Sequence, residues 1–182
     1  MMFGRGRQLP RLFSNPFTTI PSQSDMITLN IPGQESPLEI DHLVLDFNGT
    51  IACDGQIIPG VRELLARCAR HLTIHVITAD TNGHARTELA GIDCTFTRIP
   101  DNDQDQAKLD FVKQLGATSC ACIGNGRNDR LMLREAALGM AVLQAEGAFP
   151  ATLLDADAIF PSILDALNSL RKTNRLIATL RN

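Results

Sequence analysis

The 182 residues contain neither tryptophan nor tyrosine, and eight phenylalanines are the only aromatic rings besides histidine. That absence removes the stacking platforms expected of single-strand nucleic-acid binders. Basic residues do not dominate either: the formal net charge is −3, which argues against nucleic acid as the main partner. No apolar run approaches the ~20 residues that a helical membrane span requires, so no membrane span is expected. Five scattered cysteines (Cys53, Cys68, Cys94, Cys120 and Cys122) form no CxxC pair and have no histidine at zinc spacing. They read as buried reduced thiols, implying a reducing, cytoplasmic setting.

The first 25 residues carry Arg5, Arg7 and Arg11 against Asp25 alone and show no sustained helical period. Residues 1–25 are expected to be a disordered, dispensable basic extension. An Arg-rich head also suits a transit peptide, and Met26 opening into Ile27-Thr28-Leu29-Asn30 suits an overlong start. Residues 26–182 are expected to form one core domain, with the sheet beginning near Ile27.

From Ile40 onward strands and helices alternate. Strands are predicted at Ile40 to Asp46, Thr73 to Thr78, Cys94 to Ile99, Ser119 to Ile123, Met140 to Leu143 and Ala156 to Phe160. Between them, Val61, Leu64, Leu65, Cys68 and Leu72 keep a helical period after Pro59-Gly60. Helices are also predicted at Gly83 to Ala90, Asp103 to Leu115, around Leu131 to Ala136, Pro161 to Leu170 and Thr173 to Leu180. This alternation predicts an α/β fold, a three-layer Rossmann-like parallel sheet with helices on both faces.

In such a sheet the ends of the strands collect at one edge, where ligands bind. Four segments bring polar residues there: Asp46-Phe47-Asn48-Gly49-Thr50, Thr78-Ala79-Asp80, Lys108 and Gly124-Asn125-Gly126-Arg127-Asn128-Asp129. An aspartate ending a buried strand suits nucleophilic phosphoryl chemistry; the same residues also suit a strand closed by an Asx turn. Singly, Thr78, Lys108 and Gly124-Asn125-Gly126 would be ordinary turn or surface residues.

In this order and spacing the four segments resemble the haloacid dehalogenase-like superfamily, and most closely the phosphorylation domain of P-type ATPases. Asp46-Phe47-Asn48-Gly49-Thr50-Ile51-Ala52 stands where the pumps have Asp-Lys-Thr-Gly-Thr-Leu-Thr. Thr78-Ala79-Asp80 matches their Thr-Gly-Asp, and Lys108, with Val112 and Leu115, their lysine helix. Gly124 to Asp129 matches Gly-Asp-Gly-x-Asn-Asp, and Ala137 to Val142 continues the match. Asp46 and Thr78 are only 32 residues apart, so the chain resembles soluble relatives stripped to the phosphorylation domain, without a cap domain. Cys53-Asp54-Gly55-Gln56-Ile57 leaves room only for a small hairpin flap.

The resemblance implies a Mg²⁺-dependent phosphatase or phosphotransferase with an aspartyl-phosphate at Asp46. Catalytic roles fall on Asp46, Asn48, Thr78 and Lys108, and phosphate contacts on Asp46, Phe47, Asn48, Thr78, Ala79, Lys108 and Asn128. Asp46, the Asn48 carbonyl, Asn125 and Asp129 would hold Mg²⁺, with Asp129 bound or just behind. Two departures stand out. Asn48 replaces the second aspartate of the phosphatases, where losing a positioned acid–base costs ~10²–10⁴ in rate. Asn125 replaces a metal-binding carboxylate, implying a weakly held Mg²⁺. The expected substrate is a phosphorylated small molecule or phosphoprotein, with a second copy of the chain available to close an uncapped site. A degenerate phosphate-binding or protein-interaction module of the same fold is the alternative.

Overall fold

The computed structural model describes residues 26–80 and 83–181; the expectations for residues 1–25 lie outside them. Two short strands come first, β1 (Ile27–Leu29) and β2 (Leu38–Ile40). β3 (His42–Asp46) follows, then the hairpin of β4 (Ala52–Cys53) and β5 (Gln56–Ile57). Helix α1 (Val61–Cys68) leads to β6 (Thr73–Thr78), α2 (His84–Glu88) and β7 (Thr95–Arg98). Next come α3 (Gln104–Leu115), β8 (Cys120–Gly124), α4 (Arg130–Glu135) and β9 (Leu138–Val142). The chain closes with α5 (Pro150–Leu154), β10 (Ala158–Phe160), α6 (Ile163–Arg171) and α7 (Thr173–Leu180).

The central sheet has the order β10-β9-β8-β3-β6-β7, and every neighbouring pair in it is parallel. One expectation needs correcting: this sheet begins at His42, not near Ile27. Among the described residues β1 pairs only with β2, antiparallel, as a separate ribbon. The turn-forming Pro32-Gly33, with Gly33 at φ 94°, sends the chain back before it can join the parallel strands. Leu29, Ile31 and Ile40 still bury themselves against the core.

Strand alternation divides the core between the two faces. Leu43, Leu45, Ile74, Val76, Ala121 and Ile123 pack with residues of α1 and α6. Val44, Ile77, Cys120 and Cys122 pack with Val112 of α3 and with Met132 and Leu133 of α4. Burial on both faces explains why β3, β8 and β9 are nearly continuous apolar runs. Cys68, Cys120 and Cys122 are buried and unpaired, and burial pushes the thiols of Cys68 and Cys120 up to about 11. Among the described residues no helix is long and apolar enough to cross a membrane.

After β3 the chain adds β6 and β7 on one side, then crosses to the other side for β8, β9 and β10. The reversal lies between β3 and β8, and such a switch point opens a crevice at the carboxyl ends of the strands.

Candidate active site

Asp46 is the last residue of β3, only 6% exposed, and the chain beyond it is folded tightly. The Phe47 carbonyl accepts from the N–H groups of Thr50, Ile51 and Ala52 at 3.3, 3.0 and 2.9 Å, and the Phe47 ring is fully buried. Gly49 sits at φ 75°, and a Cβ there would lie 2.3 Å from the Asn125 side-chain nitrogen. Both the left-handed backbone and the close approach require glycine. Asp54 and Gly55, at φ 51° and 76°, then form the two-residue turn between β4 and β5, the type I′ chemistry expected of Asp-Gly. The hairpin is tethered on both sides: Asp54 N–H donates to Glu146 (2.8 Å) and Ile57 N–H to Glu88 (3.1 Å).

Lys108, fully buried on the second turn of α3, donates to one oxygen of Asp46 and one of Asp129, each at 2.6 Å. Burial alone would lower its pKa, but the two carboxylates outweigh it and hold the pKa above the ordinary lysine value. Asp46 moves the other way. Burial and the charge of Asp129 raise its carboxyl to about 6, against the pull of Lys108. The other Asp129 oxygen accepts from the backbone N–H groups of Asn125 (2.9 Å) and Gly126 (2.8 Å). That fold-back depends on Gly124, where a Cβ would meet the Asp129 carboxyl carbon at 2.4 Å.

Thr50 Oγ1 lies 3.3 Å from Asp46 Oδ2 and 3.2 Å from Asn125 Oδ1. One hydroxyl carries one proton, so it cannot fully satisfy both oxygens. The Asn125 amide is oriented by its Nδ2, which donates to the Gly147 carbonyl at 2.9 Å and so turns Oδ1 toward the Thr50 hydroxyl. Gln144 locks the loop from above: its Nε2 donates to the carbonyls of Gly49 (2.8 Å) and Thr50 (2.6 Å), and its Oε1 accepts from Ile163 N–H at the start of α6 (2.9 Å).

A cavity of about 590 Å³ opens at this edge. Asp46, Phe47, Asn48, Thr78, Ala79, Asn125 and Asn128 all line it, so seven of the residues singled out in the sequence meet at one place. Lys108 and Asp129 do not line it; they sit fully buried behind Asp46 and Asn125. Asn48 is exposed at the cavity edge, and the Asn128 amide donates to Gln104 Oε1 at 2.7 Å. Asp80, at φ 33°, accepts the N–H groups of His84 and Ala85 and so caps α2. Its N–H donates to the buried Thr78 hydroxyl at 3.3 Å.

Thr50 lies within the first motif but was given no role from the sequence, and Gln144 and Glu146 were not singled out. Gln144 and Glu146 follow the end of β9, so the strand-end rule applied to that strand would have found them.

No family model matches the chain. The solved structures it resembles include 3-deoxy-D-manno-octulosonate 8-phosphate phosphatase from Moraxella catarrhalis, in complex with magnesium ion, phosphate ion and KDO. That likeness has a TM-score of 0.58 at 21% identity, over 78% of this chain and 94% of that one. A zinc-transporting PIB-type ATPase in its E2.Pi state matches 68% of this chain at a TM-score of 0.50 and 21% identity, with only 21% of the pump covered. The core thus has the haloacid dehalogenase-like fold. By sequence it is 48% identical over 80 residues to the uncharacterized protein MJ0073 of Methanocaldococcus jannaschii, covering 42% of this chain and 86% of that protein. The chain belongs to the same family as that archaeal protein.

Proposed function

We propose that the protein is a Mg²⁺-dependent phosphatase or phosphotransferase that forms an aspartyl-phosphate at Asp46. The observation that carries this reading is the Asp46 carboxylate itself. It stands on the cavity wall at the switch point, with one oxygen ion-paired to a fully buried lysine and the other beside the Thr50 hydroxyl. With its pKa raised to about 6 it is ionised at neutral pH.

In this mechanism an Asp46 oxygen attacks phosphorus and the bond from phosphorus to the leaving-group oxygen breaks. Water then attacks phosphorus, the acyl phosphate is cleaved, and the carboxylate and inorganic phosphate are released. Thr78 and the backbone beside Phe47 and Ala79 bind the equatorial phosphoryl oxygens, and Lys108 neutralises charge behind Asp46. Asn48 cannot protonate a leaving group. The reading therefore favours phosphoryl donors whose leaving group departs without a proton, such as acyl or aryl phosphates.

The donor set suits a hard cation. Asp46 and Asp129 against Lys108 leave one net negative charge, and Asp46 Oδ2 and Asn125 Oδ1 share a single hydroxyl proton. Asp46, Asn125 and the Asn48 carbonyl would hold Mg²⁺, and Asp129, with both oxygens engaged, positions the loop from behind. Bound Mg²⁺ supplies charge neutralisation for the incoming phosphoryl group. Asn125 supplies no charge, so the affinity is weak.

The test is hydrolysis of para-nitrophenyl phosphate with and without Mg²⁺. The parent turns over with Mg²⁺, and Asp46→Asn falls to background. Activity of the variant within about tenfold of the parent overturns the covalent mechanism. Asn48 and Asn125 favour a second reading, a module that binds phosphate without turnover; inorganic phosphate binding with no hydrolysis of any donor would select it.

A further inference from the structure

We propose that a second cavity, at the opposite edge of the sheet from Asp46, is a binding site for a small phosphorylated anion. Helix α1 starts beside the β4–β5 hairpin at the active edge and ends at Cys68, shortly before β6 begins. Arg67, Arg70 and His71 therefore lie at the amino-terminal edge of the sheet. Helix α6 runs the same way from the end of β10 and brings Arg171 there. Between the two helix ends and β1 lies a cavity of about 550 Å³, within the range of small-molecule sites.

Its lining is one-sided in charge. Arg67, Arg70, His71 and Arg171 contribute to it, and among the described residues no carboxylate does. Among the described residues none of these arginines forms an ion pair; Arg171 donates only to the Asn168 amide oxygen, at 3.3 Å. The bland explanation is that arginines in the last turns of α1 and α6 offset the helix dipoles. It covers Arg67 and Arg171 but not Arg70 and His71, which lie beyond the end of α1. Like charges gathered in one concavity repel, and an anion relieves that repulsion. Guanidinium groups pair with phosphate through two parallel hydrogen bonds. The apolar base formed by Ile27 and the buried Cys68 and Leu170 accepts the uncharged body of a ligand.

The two cavities are opposite in sign. The active-edge cavity is lined by Asp46, Asp54, Asp80 and Glu146, and among the described residues by no lysine or arginine. A free phosphate compound without divalent metal therefore prefers the arginine cavity. The net charge of −3 and the concave shape favour a small molecule over nucleic acid.

The experiment titrates the full chain with inorganic pyrophosphate in excess EDTA, followed by calorimetry and backbone amide shifts. The expected result is a Kd below about 1 mM, with shifts at residues 67–71 and 170–173. Arg67→Ala/Arg171→Ala, and separately Arg70→Ala, weaken binding at least tenfold and threefold respectively, with the parent's melting temperature retained. Asp46→Asn binds as the parent does, which separates this site from the proposed catalytic one. Absence of binding, shifts confined to residues 46–50 and 124–129, or arginine variants with parental affinity would overturn the proposal. Tighter binding of a single-stranded oligonucleotide or a polyglutamate peptide than of pyrophosphate would also overturn it.

Discussion

Lys108 bridges two carboxylates at 2.6 Å each and is fully withdrawn from water. Removing one partner of such a buried pair costs about 3–5 kcal/mol, because a charge is left without compensation. The lysine is thus part of the fold as well as of the proposed chemistry. Asn125 is similarly double-sided. Asn125→Asp adds a negative ligand at the proposed metal position but loses the Nδ2–H donor to Gly147 and sets a carboxylate against that carbonyl. The Gly147 carbonyl is part-buried, so the loss stays at or below the about 1–3 kcal/mol that a buried acceptor without its donor costs. The metal-free variant should melt several degrees lower, bind Mg²⁺ more tightly by calorimetry, and regain stability as Mg²⁺ is added. Unchanged affinity would mean that Asn125 does not face the ion. Asn48 is exposed at the cavity edge, so Asn48→Asp should be tolerated. It should raise hydrolysis or shorten the life of the phosphoenzyme by ~10-fold or more; a longer-lived phosphoenzyme would contradict the role given to this position.

At the scale of elements, β6 shows how a strand can carry a pH response away from the site. His75 is buried, its Nε2 lies 3.2 Å from His42 Nδ1 on β3, and the ring meets the edge of Phe111 on α3. Among the described residues its Nδ1 has no partner. Burial, and secondarily His42, lowers its pKa to about 4. The unfolded chain takes up a proton at His75 near the ordinary value of 6.5 and the folded chain only near 4. Stability is therefore lost as pH falls through that window. His75→Leu should flatten the decline in melting temperature between pH 6.5 and 4; an unchanged slope would assign it to other groups. Elements with long periodic patterns were legible in the sequence: β6, α3 and α7 fall within a residue of their expected bounds. The five-residue α5 has too few turns to show a period. β9 was expected from Met140 but begins at Leu138, because Gly139 reads as a turn. In fact a Cβ there would meet the Leu133 carbonyl oxygen at 2.2 Å, so the glycine serves close packing. Asp46, Thr78 and Asn125 were legible because strand ends converge, whereas the pairing of Lys108 with Asp129 depends on how α3 packs against the loop after β8.

Taken as a whole molecule, the chain places its acidic cavity at one edge of the parallel sheet and its arginine-lined cavity at the other, with α1 and α6 running between the two. The small β4–β5 hairpin and α1 fill the connection from β3 to β6. What distinguishes a phosphoryl-transfer enzyme from a phosphate-binding module on this scaffold is whether Asp46 takes up a phosphoryl group covalently. Intact-protein mass spectrometry after incubation with acetyl phosphate and Mg²⁺ measures this directly. The expected spectrum shows the parent heavier by one phosphoryl group, with the modification lost on mild alkaline treatment and absent from Asp46→Asn. No mass gain in the parent, or the same gain in Asp46→Asn, would contradict an aspartyl-phosphate at Asp46.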